Sequence, residues 1–191
     1  ISAPPGPRRL RGALVGIVGL GAIGSAVARL VSAAGARVEA VRRRPERPAP
    51  PGVVVYPAAE LHARLPHWDV VVLCAPLTRE TRGLIDARAL ALMKRDAVLV
   101  NVGRGRLVDE AALAAALAEG RLGGAALDVF EREPLAPDSP LWDLSNVLVT
   151  PHVSGFRADY WEAAVALFEE NLRRDEAGEP LLNVVDQRAG Y

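Results

Sequence analysis

Val15-Gly16-Ile17-Val18-Gly19-Leu20-Gly21-Ala22-Ile23-Gly24 decides the fold class of this chain. A short β-branched run, Leu14 to Val18, leads directly into the spacing G-x-G-x-x-G over Gly19 to Gly24. Beyond it, Ile23, Val27, Leu30 and Val31 recur at helical intervals. A glycine-rich turn from strand to helix leaves backbone N–H groups at a helix N-terminus, where a pyrophosphate is favourably held. Gly19 would permit the tight turn, Gly21 the approach of phosphates, and Gly24 the packing of helix on strand. The spacing alone also occurs in ordinary turns. With strand, helix and a second strand around it, it points to a dinucleotide.

The same alternation continues outward. Arg37 to Val41 is a second strand, with Gly35 capping the helix before it. Residues 43 to 52 include four prolines and form a loop. Val53 to Val55 is short and apolar, and Ala58 to Leu65 spans one or two helical turns. Val70 to Cys74 and Ala97 to Val102 are continuously apolar, as strands buried on both faces are. Asp109 opens an alanine-rich helix that ends near Gly120. Gly124 to Asp128 and Val147 to Thr150 are the last strands. A helix from Arg157 to Arg174 carries Trp161, Val165, Phe168 and Leu172 on one apolar face. Strand and helix in this order predict an α/β fold, a doubly wound parallel sheet covered on both sides.

Composition narrows the partners. Lys plus Arg number 23 and Asp plus Glu number 23, so no net field draws the chain to nucleic acid or anionic lipid. One cysteine, Cys74, excludes an internal disulfide and a cysteine-based zinc cage. No metal site is expected. No apolar run reaches the roughly 18 residues of a membrane span. The first residues, Ile1 to Pro7, lack the basic and apolar regions of a secretory signal, so a cytoplasmic location is expected.

Where the second strand ends, an NAD-binding chain carries an acid for the ribose hydroxyls. Here the sequence is Arg42-Arg43-Arg44. Arginines there would pair with a 2′-phosphate through charge-assisted bonds, which favours NADP, with NAD second. Glu39 is the nearest acid, but it lies inside the strand. The alternative is that the arginines form a solvated loop edge.

Further stretches carry a family resemblance. They are Cys74-Ala75-Pro76-Leu77-Thr78 with Thr81, Asn101-Val102-Gly103-Arg104-Gly105, Leu127-Asp128-Val129-Phe130-Glu131-Arg132-Glu133-Pro134-Leu135, Pro140-Leu141-Trp142, and Asn146 to Thr150 followed by Pro151-His152. Together with the glycine loop, the chain resembles the D-isomer-specific 2-hydroxyacid dehydrogenases, which include glyoxylate and hydroxypyruvate reductases. The resemblance implies a Rossmann-type cofactor domain and reduction of a small 2-keto acid. It places a substrate-gripping arginine at Arg104, a proton donor at His152 and its carboxylate partner at Glu133. Glu131 competes for that last role, and the family pattern favours the carboxylate next to proline. It sets Asp128 against the nicotinamide carboxamide and Ala22 and Ile23 against the pyrophosphate. Cys74, Ala75 and Pro76 would line the adenosine side, with Thr81 nearby. Val102, Gly103, Arg104, His152 and Gly155 complete the expected cofactor contacts. His62 and His67 are expected on the surface, and Cys74 as strand packing.

Family members are usually longer, and their N-terminal segment forms most of a substrate domain. This chain lacks an initiator Met, starts with a Pro-rich stub and reaches the cofactor domain at once. The expected organisation is a stub over 1–12, the dinucleotide-binding domain over 13–156, and a helix and tail over 157–191. In the family that tail, through Asn183 to Asp186, packs toward the substrate domain, so most of that domain is expected to be missing and activity to be impaired. A homodimer through the cofactor domain is also implied. Two alternatives are a corepressor-like dinucleotide sensor and an inactive truncated paralogue.

Overall fold

The computed structural model describes residues 9–186. Seven parallel strands form one sheet: β1 (Leu14–Val18), β2 (Arg37–Arg42), β3 (Val54–Pro57), β4 (Val70–Leu73), β5 (Val98–Asn101), β6 (Gly124–Leu127) and β7 (Val147–Val149). Among the described residues the helices are α1 (Ala22–Ala33), α2 (Leu61–Arg64), α3 (Ala87–Leu92), α4 (Glu110–Ala118) and α5 (Tyr160–Glu176). The spatial order is β3-β2-β1-β4-β5-β6-β7. The first strands build outward from β1 to β3; the chain then returns to the other side of β1 and builds outward again. At the C-terminal ends of β1 and β4 the loops diverge, which opens the crevice where ligands of such sheets bind.

Side chains alternate between two apolar layers. Val15, Ile17, Val38, Ala40 and Val72 pack with Leu20 and Ala28 of the α1 side. Val18, Val41, Val71, Leu73 and Leu99 pack on the opposite face with Trp68, Leu113 and Leu117. This two-residue period across two covered faces is why the strands are continuously apolar in sequence. Asp109 caps α4 by accepting from the Ala112 amide at 2.9 Å, which offsets an otherwise unpaired N–H. Gly35 follows α1 as expected, with Ala36 N–H bonding back to the Val31 carbonyl at 3.0 Å.

One packing contact is unusually tight. Gly16 pairs with Glu39 across β1 and β2, and a Cβ on Gly16 would stand 1.8 Å from Trp68 Cδ2. The indole is fully buried there and donates from Nε1 to Glu39 Oε2 at 2.9 Å. Glu39 therefore serves the packing of β2, not its end. Gly16→Ala is expected to cost about 1–3 kcal/mol or more, because neither indole nor strand can give way. A urea titration read by tryptophan fluorescence would show the midpoint falling.

Two elements differ from expectation. Helix α3 has no counterpart in the sequence reading; its six residues are too few for a periodic signal. It is capped by Asp86, which accepts from the Ala89 amide at 2.8 Å. Helix α5 starts at Tyr160 rather than Arg157, which instead pairs with Asp159 just ahead of the helix.

The chain divides into two compact units, one ending at His152 and one starting at Val153, a few residues before the expected boundary. In the second unit Asn171 clamps the returning chain. The Leu182 amide donates to its Oδ1 at 2.8 Å, and its Nδ2 donates to the Leu182 carbonyl at 3.2 Å. Trp161, Val165, Phe168 and Leu172 keep their predicted spacing, and all four are exposed. Most of the stub over 1–12 lies outside the described residues.

Candidate active site

The loops that leave β1, β4, β5, β6 and β7 at their C-terminal ends carry nearly all of the expected residues. In the glycine loop, Gly19 adopts φ +95°, a left-handed conformation that a side chain disfavours. Its missing Cβ would stand 2.6 Å from the Ala75 amide, so the loop lies against the segment after β4. A Cβ on Gly24 would stand 2.1 Å from the Gly19 carbonyl, and this closeness seats α1 under the loop. Gly21, by contrast, faces open space, and no side chain caps α1 there. Ala22 and Ile23 are exposed in its first turn. Uncapped amides, a positive helix end and an open approach at Gly21 fit a pyrophosphate.

Beside this loop, Cys74 follows β4 and its amide bonds the Val18 carbonyl at 2.8 Å. Burial pushes its thiol up to about 11, which keeps it neutral and unreactive. Ala75 is buried and Pro76 half-buried. Thr81 opens no helix; its hydroxyl donates to the Pro76 carbonyl at 2.7 Å and accepts from the Thr78 amide at 2.7 Å. It shapes the turn that follows Pro76. Thr78 also donates to Glu80 at 2.7 Å. That bond, with Glu80's own amide and the charges of Arg43 and Arg79, holds the Glu80 carboxyl low despite its desolvation. Arg43 thus lies within electrostatic reach of the turn after β4. Arg42 is turned inward and is bonded to backbone carbonyls of its own loop and of Leu20.

After β5, buried Asn101 organises a tight turn. Its Oδ1 accepts from the Gly103 amide at 3.1 Å, and its Nδ2 donates to the Arg104 carbonyl at 3.0 Å. Val102 is half-buried and Gly103 buried, the latter 3.1 Å from the Ala75 carbonyl at its Cβ position. Arg104 projects outward, exposed, with Nη1 on the Gly103 carbonyl at 2.7 Å. Gly105 permits the next contact: a Cβ there would meet the Phe130 carbonyl carbon at 1.8 Å. The Arg104 turn and the loop after β6 are therefore in backbone contact.

That second loop carries the carboxylates. Asp128 is buried, with its amide on the Asn101 carbonyl at 3.0 Å and its Oδ1 accepting from the Thr150 hydroxyl at 2.6 Å. Glu133 folds back so that Oε1 accepts from the Phe130 amide at 3.0 Å. Its Oε2 accepts from His152 Nδ1–H at 2.8 Å. Glu131 faces elsewhere, exchanging bonds with Glu110 and its amide. Of the two glutamates, Glu133 is the one that contacts His152. His62 and His67 are exposed, as expected.

His152 itself has φ +56°, strained for a residue with a side chain. The Thr150 carbonyl accepts its amide at 3.1 Å, which pins the turn. With Nδ1 donating to Glu133, Nε2 is the ring nitrogen left for other chemistry. Partial desolvation works to raise the Glu133 carboxyl. The bonds from His152 and Phe130 and the charges of His152 and Arg104 outweigh it and hold the group below its ordinary 4.5. A depressed carboxylate contributes stability above its unfolded pKa and loses it as pH falls through the folded one. The Glu133–His152 contact is thus expected to be lost at a lower pH than an ordinary glutamate would lose it. Carboxyl ¹³C titration would show a midpoint for Glu133 under 4.5 that rises when His152 is replaced.

Gly155 is the one expected site residue in the second unit, with nothing within 4 Å of its Cβ position. Among the described residues no cluster of His, Cys, Asp and Glu could hold a metal ion, and no helix is long and apolar enough to cross a membrane. Sequence reasoning missed Asn101 and Thr150 as site-shaping residues. A polar side chain at the end of an apolar strand was the available signal for both, although only the strand before Asn101 has buried positions.

Residues 3–154 match the family model of the D-isomer specific 2-hydroxyacid dehydrogenase NAD binding domain. The chain belongs to this family. A glyoxylate reductase of Korarchaeum cryptofilum is 41% identical over 92% of this chain and 53% of its own length. A D-3-phosphoglycerate dehydrogenase of Mycobacterium bovis is 42% identical over 94% of this chain and 34% of its own. Among solved structures, a 2-hydroxyacid dehydrogenase of Xanthobacter autotrophicus Py2 in complex with NADPH and MES is 45% identical. It has a TM-score of 0.88 and matches 97% of this chain and 75% of that one. An NADPH-dependent glyoxylate/hydroxypyruvate reductase of Sinorhizobium meliloti, in complex with NADP and sulfate, is 42% identical with a TM-score of 0.86, covering 94% and 57%. This family member spans between a third and about half of the length of these two curated relatives.

Proposed function

We propose that this 2-hydroxyacid dehydrogenase chain forms the cofactor half of an NADPH-dependent reductase of small 2-keto acids, of the glyoxylate or hydroxypyruvate type. The observation that carries the reading is the Glu133–His152 pair at 2.8 Å, set beside an outward Arg104 whose turn touches the Glu133 loop. The glycine loop and the N-terminus of α1 would hold the pyrophosphate, with Ala75 and Pro76 along the adenosine side and Asp128 at the nicotinamide end. When bound, the reduced nicotinamide supplies a hydride to the carbonyl carbon.

The chain's own residues do the rest. The Arg104 guanidinium takes the substrate carboxylate in a two-pronged grip, which fixes the carbonyl relative to the ring. His152 Nε2–H donates its proton to the carbonyl oxygen as that oxygen gains charge, and recovers it in the oxidation direction. Glu133 supports the imidazolium and sets its orientation. Arg43 and its neighbours after β2 favour a 2′-phosphate, consistent with the complexes named for two of the relatives. A homodimer in the cytoplasm completes the reading, to be checked by light scattering. No observation favours a sensor or inactive role.

Fluorescence titration with NADPH and NADH, followed by glyoxylate and hydroxypyruvate, tests this. Tighter NADPH binding and keto-acid-dependent cofactor oxidation are expected. A preference for NADH, or oxidation untouched by loss of His152, would overturn it.

A further inference from the structure

Arg42 ends β2 and looks, in sequence, like the first of three phosphate-binding arginines. Its hydrogen bonds assign it differently. Nη1 donates to the Leu20 carbonyl and to the Pro48 carbonyl, each at 3.3 Å. Nη2 donates to the Pro45 carbonyl at 3.3 Å and to the Arg47 carbonyl. Nε is closed off from solvent without a partner. A guanidinium has five N–H donors. Four are committed to backbone oxygens and the fifth is enclosed, so no donor is left over for a ligand, although the bonds to Pro48 and Arg47 lie at the surface.

The loop needs such a donor. Pro45, Pro48, Pro50 and Pro51 lack N–H groups, so this stretch has few amides with which to satisfy its own carbonyls. The loop instead curls around the guanidinium and leaves Arg43 and Arg44 exposed on its outer side. The Leu20 bond ties the same group to the glycine loop. One side chain thereby joins the two segments that the proposed function assigns to the two phosphate-bearing ends of the adenosine moiety.

We infer that Arg42 is a positioning residue for cofactor selectivity: it holds the Arg43–Arg44 segment in register with the glycine loop and does not itself touch the 2′-phosphate. The inference rests on the dinucleotide reading above. It separates two roles that the run of arginines conceals, shape at Arg42 and charge at Arg43.

Lysine distinguishes the roles. It retains the positive charge, but its three donors radiate from one atom and cannot span four carbonyls. Affinities for NADPH, NADH and adenosine 2′,5′-bisphosphate would be measured for Arg42→Lys, Arg42→Ala, Arg43→Lys and Arg43→Ala. Arg42→Lys is expected to lose NADPH affinity as fully as Arg42→Ala, by about tenfold or more. Arg43→Lys should keep much more than Arg43→Ala, and both Arg43 changes should weaken NADPH binding far more than NADH binding. The Leu20 tie also predicts a smaller loss of NADH affinity in both Arg42 variants. Near-normal NADPH binding by Arg42→Lys, with loss in Arg42→Ala, would make Arg42 a charge ligand and overturn the inference alone. Wild-type preference for NADH would strike the underlying cofactor reading instead. A measurement on the unaltered protein guards against unfolded variants. Side-chain N–H signals of Arg43 should shift on adding adenosine 2′,5′-bisphosphate while those of Arg42 stay in place; larger shifts at Arg42 would contradict the assignment.

Discussion

Replacing His152 by asparagine is expected to slow 2-keto acid reduction by about 10²- to 10⁴-fold, the range of a lost general acid. Binding of the dinucleotide should largely persist, because His152 is one expected contact among many and the glycine loop and the turn after β4 are untouched. Asparagine is the informative choice. The position has φ +56°, a region that asparagine tolerates better than most residues, so the backbone of the turn is preserved. Its amide can still donate toward Glu133, but it cannot transfer a proton. Steady-state rates at saturating keto acid would show the fall in kcat. Equal rates in the two proteins would remove His152 from the chemistry.

Arg104→Lys is expected to lower kcat/KM for the keto acid by about 10²-fold, mostly through KM, with a much smaller change in NADPH affinity. The turn that presents Arg104 is fixed by Asn101 at both Gly103 and Arg104, so the variant alters the head group rather than the loop. An ammonium is a point charge and cannot grip both carboxylate oxygens in one plane. Misplacing the carbonyl by even an ångström is costly in rate. Kinetics over a range of keto acid concentrations, with NADPH saturating, would separate KM from kcat.

The parts of this fold that local sequence dictates were legible before the structure. The glycine loop, the doubly covered strands and the Asp109 cap of α4 each depend on residues within a few positions of one another. Helix α3 was not legible, since six residues give no period, although Asp86 followed by Ala89 was a usable capping signal. The site divides the same way. Arg104, Glu133 and His152 were proposed through motif resemblance, and the structure brings Glu133 and His152 together. The choice of Glu133 over Glu131 depends on a turn closed by the Phe130 amide, a contact that no spacing rule supplies. Arg42 shows the limit most clearly. Its charge and position promised a phosphate ligand, whereas its donors are consumed by carbonyls that prolines leave unpaired. The apolar stripe of α5 was legible as a period, but Trp161 and Phe168 are exposed, and periodicity cannot say what covers a face.

We propose a reductase site for 2-keto acids at Arg104, Glu133 and His152, beside a bound NADPH. Its most direct test is the fall in NADPH absorbance on adding glyoxylate, followed in the wild-type protein and in His152→Asn, with binding of NADPH measured in both. Oxidation in the wild type, almost none in the variant, and similar NADPH affinity in the two are expected. Wild-type protein that binds NADPH without oxidising it, or a variant that oxidises it at the wild-type rate, would mean that these residues do not form such a site.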